Sequence, residues 1–207
     1  MDTSAADFLP AARTLKALRA AAADCRGCPL YARGTQTVFG EGPRRAALVL
    51  VGEQPGDEED RVGRPFVGPA GAVLARVLEE VGIDRAAVYV TNAVKHFKWE
   101  PRGSRRLHKK PSAREIAACH PWLAEEVRAV RPRMVVCLGL TAARAAFGRA
   151  VRLKDVRAQF TVTPLSAATF VTTHPAALLR VRGGEARAQA HAQFRQDLAD
   201  VAARLAQ

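Results

Sequence analysis

The chain has 207 residues, of which 48% are hydrophobic, so it can bury one sizeable core and is expected to form a single domain over residues 1–207. Its net charge of +12 at pH 7 indicates a polyanionic partner such as a nucleic acid, although the many alanines and arginines also fit a mere bias of composition. No apolar run approaches membrane-spanning length and the acidic N-terminus lacks a signal-peptide core, so we expect a cytoplasmic protein with no membrane partner.

The N-terminal segment, residues 1–35, is expected to pack on the core. Residues 7–24 combine many alanines with apolar residues at helical spacing, which predicts a helix. This pattern ends in a Cys-x-x-Cys pair, Cys25 and Cys28. In a cytosolic protein such a pair indicates metal binding or redox chemistry rather than a structural disulfide. A thioredoxin-like role is not favoured, because no strand precedes the pair.

A strand and its following loop organise the rest of the chain. Residues 46–51 form a short apolar run typical of a strand covered on both faces. The strand ends in a loop rich in Gly and Pro, with Glu53 and Asp57 on the two sides of the turn. Open α/β sheets bind ligands at the carboxyl ends of their strands, so these acids are candidates for chemistry. Taken alone, they also fit an acidic loop in water.

The remaining patterns alternate between strands and helices. The strands are predicted at residues 88–91, 134–139 and 169–172, with a weaker one at 159–163, and the helices at 68–81, from 112, at 141–147 and at 185–205. This alternation predicts an α/β fold with three layers, α/β/α, around a mostly parallel central sheet. Three strand ends, which carry Glu53 and Gln54, Asn92, and His174, are then expected to meet in one crevice.

A strongly basic stretch follows the second strand. Residues 95–114 contain eight Lys or Arg residues and one acid, Glu100. Such a density beside a crevice favours contact with phosphates. The alternative is a disordered, solvated loop.

Several motifs occur together over residues 25–180: CRGCPL, GEQPG followed by Asp57, GRPFVG, TNAVKH, and THP followed by LLR. In this order they resemble the family 4 uracil-DNA glycosylases. The insert GSRRLHKKPS is similar to the lysine-arginine-arginine-isoleucine-histidine loop of the UdgX subgroup. It departs from that loop at Ser104 and Leu107, which stand at the lysine and the isoleucine. The resemblance implies a uracil-DNA glycosylase-like fold and a protein of the bacterial cytoplasm or nucleoid.

The resemblance also implies a metal centre. In typical family 4 enzymes four cysteines hold a [4Fe-4S] cluster, and the matching residues here are Cys25, Cys28, His96 and Cys119. Histidine can replace a thiolate at iron–sulfur centres. A zinc site with the same three sulfurs and one nitrogen remains an alternative. Cys137 falls within an apolar strand and is interpreted as a core residue.

Uracil recognition and excision can be assigned to the crevice by the same likeness. Phe66 would stack on the base, and Asn92 would pair with its N3 and O4 edge. His174 would donate to O2 as the departing uracil becomes anionic, with the backbone amides around Gln54 assisting. Glu53 and Asp57 are the carboxylates that can stabilise the oxocarbenium-like sugar.

The UdgX group captures the sugar cation with the loop histidine, which gives a bond between protein and DNA at C1′. His108 is the matching nucleophile, with Glu53 accepting from or orienting its other N–H. Arg105 and Arg106 would hold the loop on phosphate or against the acidic motif. Arg180 would hold the loop or the DNA. Without the resemblance, His108 is one more polar residue of a phosphate-binding loop.

Three functions therefore remain open. The first is a single-use glycosylase that excises uracil, preferentially from single-stranded DNA, and stays attached through His108. The second is a conventional family 4 enzyme that turns over and releases abasic DNA. The third is a non-catalytic iron–sulfur protein that binds DNA or senses redox state. A monomer is expected for each.

Overall fold

A twisted five-stranded sheet forms the centre of the computed structural model, which describes residues 3–207. The strands are β1 (Leu48–Gly52), β2 (Tyr89–Asn92), β3 (Trp99–Arg102), β4 (Arg105–His108), β5 (Met134–Leu138), β6 (Phe160–Thr161) and β7 (Thr169–Thr172). Five of them form the sheet in the order β2-β1-β5-β7-β6, and only β6 runs antiparallel to its neighbour. Strands β3 and β4 form a separate antiparallel hairpin.

Helices connect the strands. They are α1 (Leu15–Ala22), α2 (Asp57–Val62), α3 (Pro69–Glu80), α4 (Ala113–Val130), α5 (Leu140–Phe147), α6 (Leu153–Val156), α7 (Pro175–Leu178) and α8 (Gly184–Leu205). Short 3₁₀ helices occupy Ala5–Phe8, Pro29–Ala32 and Arg85–Ala87. Within the described residues, no helix is both long and apolar enough to cross a bilayer.

The two faces of the sheet carry separate apolar clusters. Because side chains alternate along a strand, Val49 and Val51 of β1 join a cluster with α1, α4 and α5, whereas Leu48 and Leu50 join one with α3 and α8. Every residue of β1 is buried. The predicted α/β/α architecture with a mostly parallel sheet is therefore confirmed.

The N-terminal helix is shorter than the pattern over residues 7–24 predicted. It begins at Leu15, where the Thr14 side chain accepts a hydrogen bond from the Ala17 amide at 3.2 Å. Pro10 lies between this helix and the preceding 3₁₀ turn, and proline has no amide hydrogen for a continuous helix. Residues 1 and 2 of the predicted N-terminal segment lie outside the described residues.

The basic stretch is ordered as a hairpin, so the alternative of a disordered loop is wrong. Strands β3 and β4 pair with Trp99 opposite His108 and Arg102 opposite Arg105, which leaves a two-residue turn at Gly103 and Ser104. Gly103 has φ +59°, a backbone conformation that glycine adopts without strain.

Candidate active site

A crevice of about 280 Å³ lies at the carboxyl edge of the sheet. It is lined by residues that include Gln54, Phe66, Asn92, His108 and His174. These side chains come from the ends of β1, β2 and β7, from the segment before α3, and from β4 of the hairpin. A volume just below the range of drug-sized pockets suits a ligand such as one nucleobase with its sugar.

Asn92 ends β2 as a buried amide that faces this crevice. Its side chain makes no hydrogen bond with any residue of the described chain, so its donors and acceptor are free for a ligand. Space for the amide depends on Gly52, because a Cβ there would come within 2.3 Å of Asn92 Oδ1 and 2.7 Å of the Phe66 ring. The buried amide of Asn92 can therefore form hydrogen bonds with the polar edge of a ligand in the crevice.

Phe66 supplies an aromatic wall. Its backbone has φ 58°, which is unusual for a bulky residue and occurs where the surroundings impose it. The Phe66 and His174 rings are stacked with an interplanar angle of 25° and centroids 6.4 Å apart. A Cβ at Gly71 would come within 1.9 Å of the Phe66 carbonyl oxygen, so this glycine permits the close approach of α3.

His174 follows β7 and caps the short helix α7. Its Nδ1 accepts a hydrogen bond from the Ala176 amide at 3.1 Å, so the proton of the neutral ring is on Nε2. Burial lowers the pKa of His174 to about 4, and the charge of Arg180 and the neighbouring His108 act in the same direction. His174 is therefore a neutral imidazole that can donate from Nε2.

Glu53 lies beside the crevice on the loop after β1. The Thr141 hydroxyl at the start of α5 donates to its Oε2, which fixes one side of the carboxylate. Its Oε1 lies 3.6 Å from Nε2 of His108, the same ring nitrogen that contacts Gln54, so the prediction that Glu53 accepts from the other N–H of His108 is wrong. Thr141 was not predicted, because its place beside Glu53 depends on the pairing of β1 with β5.

His108 ends β4 and is brought to the crevice by Gln54. The Gln54 amide nitrogen lies 2.9 Å from His108 Nε2 and donates to the carbonyls of Lys98 and Lys109 at 3.2 and 3.1 Å, while its Oε1 accepts from the Lys98 amide at 3.2 Å. The two amide hydrogens of Gln54 are shared among these three partners, and since an amide nitrogen does not accept, His108 Nε2 is the acceptor in their contact. The pKa of His108 is lowered, first by burial and then by Arg180 and Lys110, against the opposing effect of Glu53.

Arg106 holds the hairpin on the body of the protein. Its guanidinium pairs with the carboxylates of Asp57 and Asp60 and donates to the Thr35 hydroxyl at 3.1 Å. Asp60 is fully buried and also accepts from the Thr35 amide at 2.9 Å. The guanidinium further lies over Phe97, at 5.3 Å from the ring centroid. Docking against the acidic motif, one of the two predicted roles, is thus the contact that Arg106 makes.

The other predicted residues lie around this arrangement. Asp57 lines the crevice, but its carboxylate binds Arg106 and Arg61, so it is less available to a reacting sugar than Glu53. Arg105 is exposed on the hairpin. Arg180 is exposed after α7, near enough to the two histidines to lower both pKa values.

Three of the predicted metal ligands are buried thiols. Cys119 Sγ accepts from the Lys95 amide at 3.3 Å, and Cys25 Sγ accepts from the Trp122 indole at 3.2 Å. The pKa of Cys119 is raised to about 12, chiefly by burial, with a smaller contribution in the same direction from the nearby Cys28 and Cys25. Thiol sulfurs that accept from N–H donors are the type of ligand that iron–sulfur and zinc sites use.

The fourth predicted ligand, His96, is oriented differently. Its Nε2 lies 2.9 Å from the Thr37 hydroxyl, and a neighbouring charge on Asp60 partly offsets the burial that lowers the pKa of His96 to about 4. As they stand, no three His, Cys, Asp or Glu side chains within residues 3–207 are grouped to hold a metal ion. The structure therefore does not assemble the three thiols and His96 into a metal site, and His96 contacts Thr37 instead.

Lys95 is a buried member of the basic stretch, so it does not face phosphate as that pattern predicted. Its ammonium pairs with the fully buried Glu126 and donates to the Asn92 carbonyl at 2.7 Å and to the Thr91 hydroxyl at 2.6 Å. This buried pair supports the backbone of Asn92. The clue in the sequence was that this lysine stands only three residues after a buried strand.

Comparison with known proteins agrees with this arrangement. The family model described as the uracil DNA glycosylase superfamily matches residues 39–199. A type-4 uracil-DNA glycosylase of Pyrobaculum aerophilum is 35% identical over 183 residues, which cover 85% of this chain and 87% of the relative. A type-4 uracil-DNA glycosylase of Thermotoga maritima is 39% identical over 164 residues, which cover 79% and 82%. The family match spans most of the chain, including every residue that lines the crevice, and the chain therefore belongs to the uracil-DNA glycosylase superfamily.

Proposed function

We propose that the protein excises uracil from DNA and then captures the sugar through His108. The observation that carries the first part is the free, buried amide of Asn92 in a crevice with an aromatic wall and a neutral imidazole. Excision requires the nucleotide to leave the base stack, and such a pocket reads the extruded base by its edge and its face. The family match and the type-4 relatives support the same activity.

Base recognition falls to Asn92 and Phe66. The Asn92 amide has an acceptor for uracil N3–H and a donor for O4, and cytosine presents the reversed pattern at these two positions. Phe66 stacks on the base. Because the amide is buried and has no protein partner, a base that leaves it unpaired incurs the cost of desolvation, which gives discrimination.

Cleavage of the N1–C1′ bond leaves its electron pair on uracil and a positive charge on the sugar. His174 donates a hydrogen bond from Nε2–H to O2 of the departing anion. The low pKa of His174 means that the imidazole is neutral, and the neutral ring carries its proton on Nε2. Glu53, oriented by Thr141, places a negative charge beside the developing cation. Solvent supplies the proton that finally neutralises uracil.

Capture uses the lone pair of His108 Nε2. Because Gln54 donates towards Nε2, the proton of the neutral ring is on Nδ1. Nε2 can therefore bond to C1′ once the Gln54 amide moves away from it. The resulting imidazolium loses its Nδ1 proton to solvent and becomes neutral. Glu53 lies 3.6 Å from the same nitrogen, which places the nucleophile next to the carboxylate that stabilises the cation.

The two departures from the UdgX loop do not weaken this proposal. Ser104 is in the exposed turn and Leu107 is 43% exposed, whereas Arg106 makes the docking contacts and His108 reaches the crevice. The captured strand is proposed to be single-stranded DNA. The protein is proposed to act as a monomer, because one chain supplies His108 and His174 in the crevice and Glu53 beside it.

A [4Fe-4S] cluster is proposed at Cys25, Cys28 and Cys119, with His96 as the fourth ligand. Such a cluster would fix the N-terminal segment against α4, and no step of excision passes through it. Zinc in the same set of donors is the alternative. Elemental analysis and the visible absorption of the purified protein distinguish the two.

The test is a denaturing gel of the protein with a labelled single-stranded oligonucleotide that contains one uracil, beside a His108→Ser variant. We expect a band resistant to heat and SDS with wild type and free abasic product with the variant. Abasic product in excess of wild-type enzyme would instead establish a conventional type-4 reaction, and no reaction with either protein would refute excision.

A further inference from the structure

Five arginines line a groove on the side of the protein away from the crevice. They are Arg13, Arg44, Arg45, Arg128 and Arg131, and they are here called the arginine groove. Arg44 and Arg45 lie in the loop before β1, and Arg131 caps the C-terminal end of α4. The groove encloses about 590 Å³, roughly twice the volume of the crevice at the other edge of the sheet.

The charge of this groove is largely uncompensated. Glu125 is the carboxylate paired with it: its Oε1 accepts from Arg128 at 2.8 Å, and its Oε2 lies 3.8 Å from Arg13 Nε without a hydrogen bond in the described chain. Arg44, Arg45 and Arg131 are exposed and form no ion pair with residues 3–207. Three guanidiniums are therefore available to a ligand, and Glu125 orients the other two.

Guanidinium groups bind phosphate and carboxylate oxygens strongly, because their planar fork donates two parallel hydrogen bonds. The groove is also lined by Leu15, Ala129 and Val130, so it offers apolar walls beside the charges. A nucleic-acid strand presents both matching features, a phosphate backbone and bases that stack on guanidinium planes.

The groove lies at the amino end of the sheet and the crevice at the carboxyl end. Seven residues separate Arg45 from Glu53, and the five of them that form β1 alone span roughly 16 Å at about 3.3 Å per residue. A nucleic-acid strand that contacts both the arginine groove and the crevice must bend around the edge of the sheet. Bending a duplex so sharply is costly, since its persistence length is about 50 nm, whereas a single strand bends readily.

We propose that the arginine groove is a second binding site for the phosphate backbone of single-stranded nucleic acid. It holds a segment of the strand several nucleotides away from the one in the crevice. The arginine groove contributes to binding affinity and takes no part in bond breaking. It therefore also binds single strands that contain no uracil, and this binding does not depend on the excision reaction.

The experiment measures binding of a labelled 20-nucleotide single strand without uracil as a function of salt concentration, by fluorescence anisotropy. An Arg44→Ser/Arg45→Ser variant is compared with wild type and with Arg76→Ser/Arg195→Ser, which removes the same charge from exposed positions on α3 and α8. Each phosphate contact contributes about 0.7 to the slope of log K against log salt for single strands. We expect the groove variant to lose about 1.4 from that slope and the control variant to keep it.

A second arm uses a five-nucleotide strand with uracil at its centre, which cannot extend from the crevice to the groove. The groove variant should process this short strand like wild type.

Equal salt slopes for the groove variant and the control variant would overturn the proposal. Slower processing of the short strand by the groove variant would also overturn it, because the arginines would then act through the crevice. Competition by polyglutamate as strong as that by DNA would also overturn it, in favour of an acidic protein partner. Absence of excision in every protein would refute the proposed function and leave this binding result intact.

Discussion

Replacing Arg106 with glutamine should separate the docking of the hairpin from the chemistry of the crevice. The substitution leaves the Asp60 carboxylate fully buried with the Thr35 amide and hydroxyl as its remaining donors, at 2.9 and 2.6 Å. Removing one partner of a buried pair costs about 3–5 kcal/mol, and the retained hydrogen bonds favour the lower end. For a chain of this length, about 3 kcal/mol corresponds to a fall in Tm of about 6–12 °C.

Arg105→Gln is the matched control, because it removes the same charge from an exposed position on the same strand. Circular dichroism melts should show the fall for Arg106→Gln and almost none for Arg105→Gln. On the oligonucleotide gel, Arg106→Gln should release uracil but form less adduct, because His108 is no longer held at the crevice. Adding Asp60→Asn removes the unpaired charge and should recover part of the lost stability. Equal melting temperatures for the two single variants would refute the assignment of Arg106 as the docking residue.

Three further outcomes are expected. The rate of adduct formation should rise with pH through a midpoint below 6.5, since the neutral ring is the nucleophile and the pKa of His108 is lowered; Arg180→Ala should shift the midpoint to higher pH, and a flat profile would contradict this. Gly52→Ala should abolish excision, measured as uracil release, because the new Cβ displaces the base-reading amide, whereas Gly184→Ala, with open space around it, should be neutral. Cys119→Ser should lower the iron content of the purified protein, and unchanged iron would exclude that ligand.

The sequence was sufficient to predict the sheet and the residues at its edge. Apolar runs between helical patterns identified the buried strands, and parallel strands place their carboxyl ends together, so Asn92 and His174 could be expected to share a site. These are consequences of chain order and periodicity, and they need no knowledge of side-chain contacts.

The residues that hold the site in place were not predictable in the same way. Thr141 and Asp60 are remote in sequence from their partners, so only the completed packing brings them together. The hairpin was missed because its strands are largely charged and one contains Pro101, so neither shows the usual alternation. Its Gly-Ser turn is a recognised hairpin signal and was the available clue.

The turn of the hairpin also offers a place for a reporter. Nothing lies within 4 Å of a Cβ built at Gly103, and Ser104 beside it is exposed. All four native cysteines are buried, so a cysteine introduced at position 104 would be the thiol accessible to a maleimide dye. A fluorophore there would travel with the strand that carries His108, and its signal would follow the arrival of a DNA strand in real time.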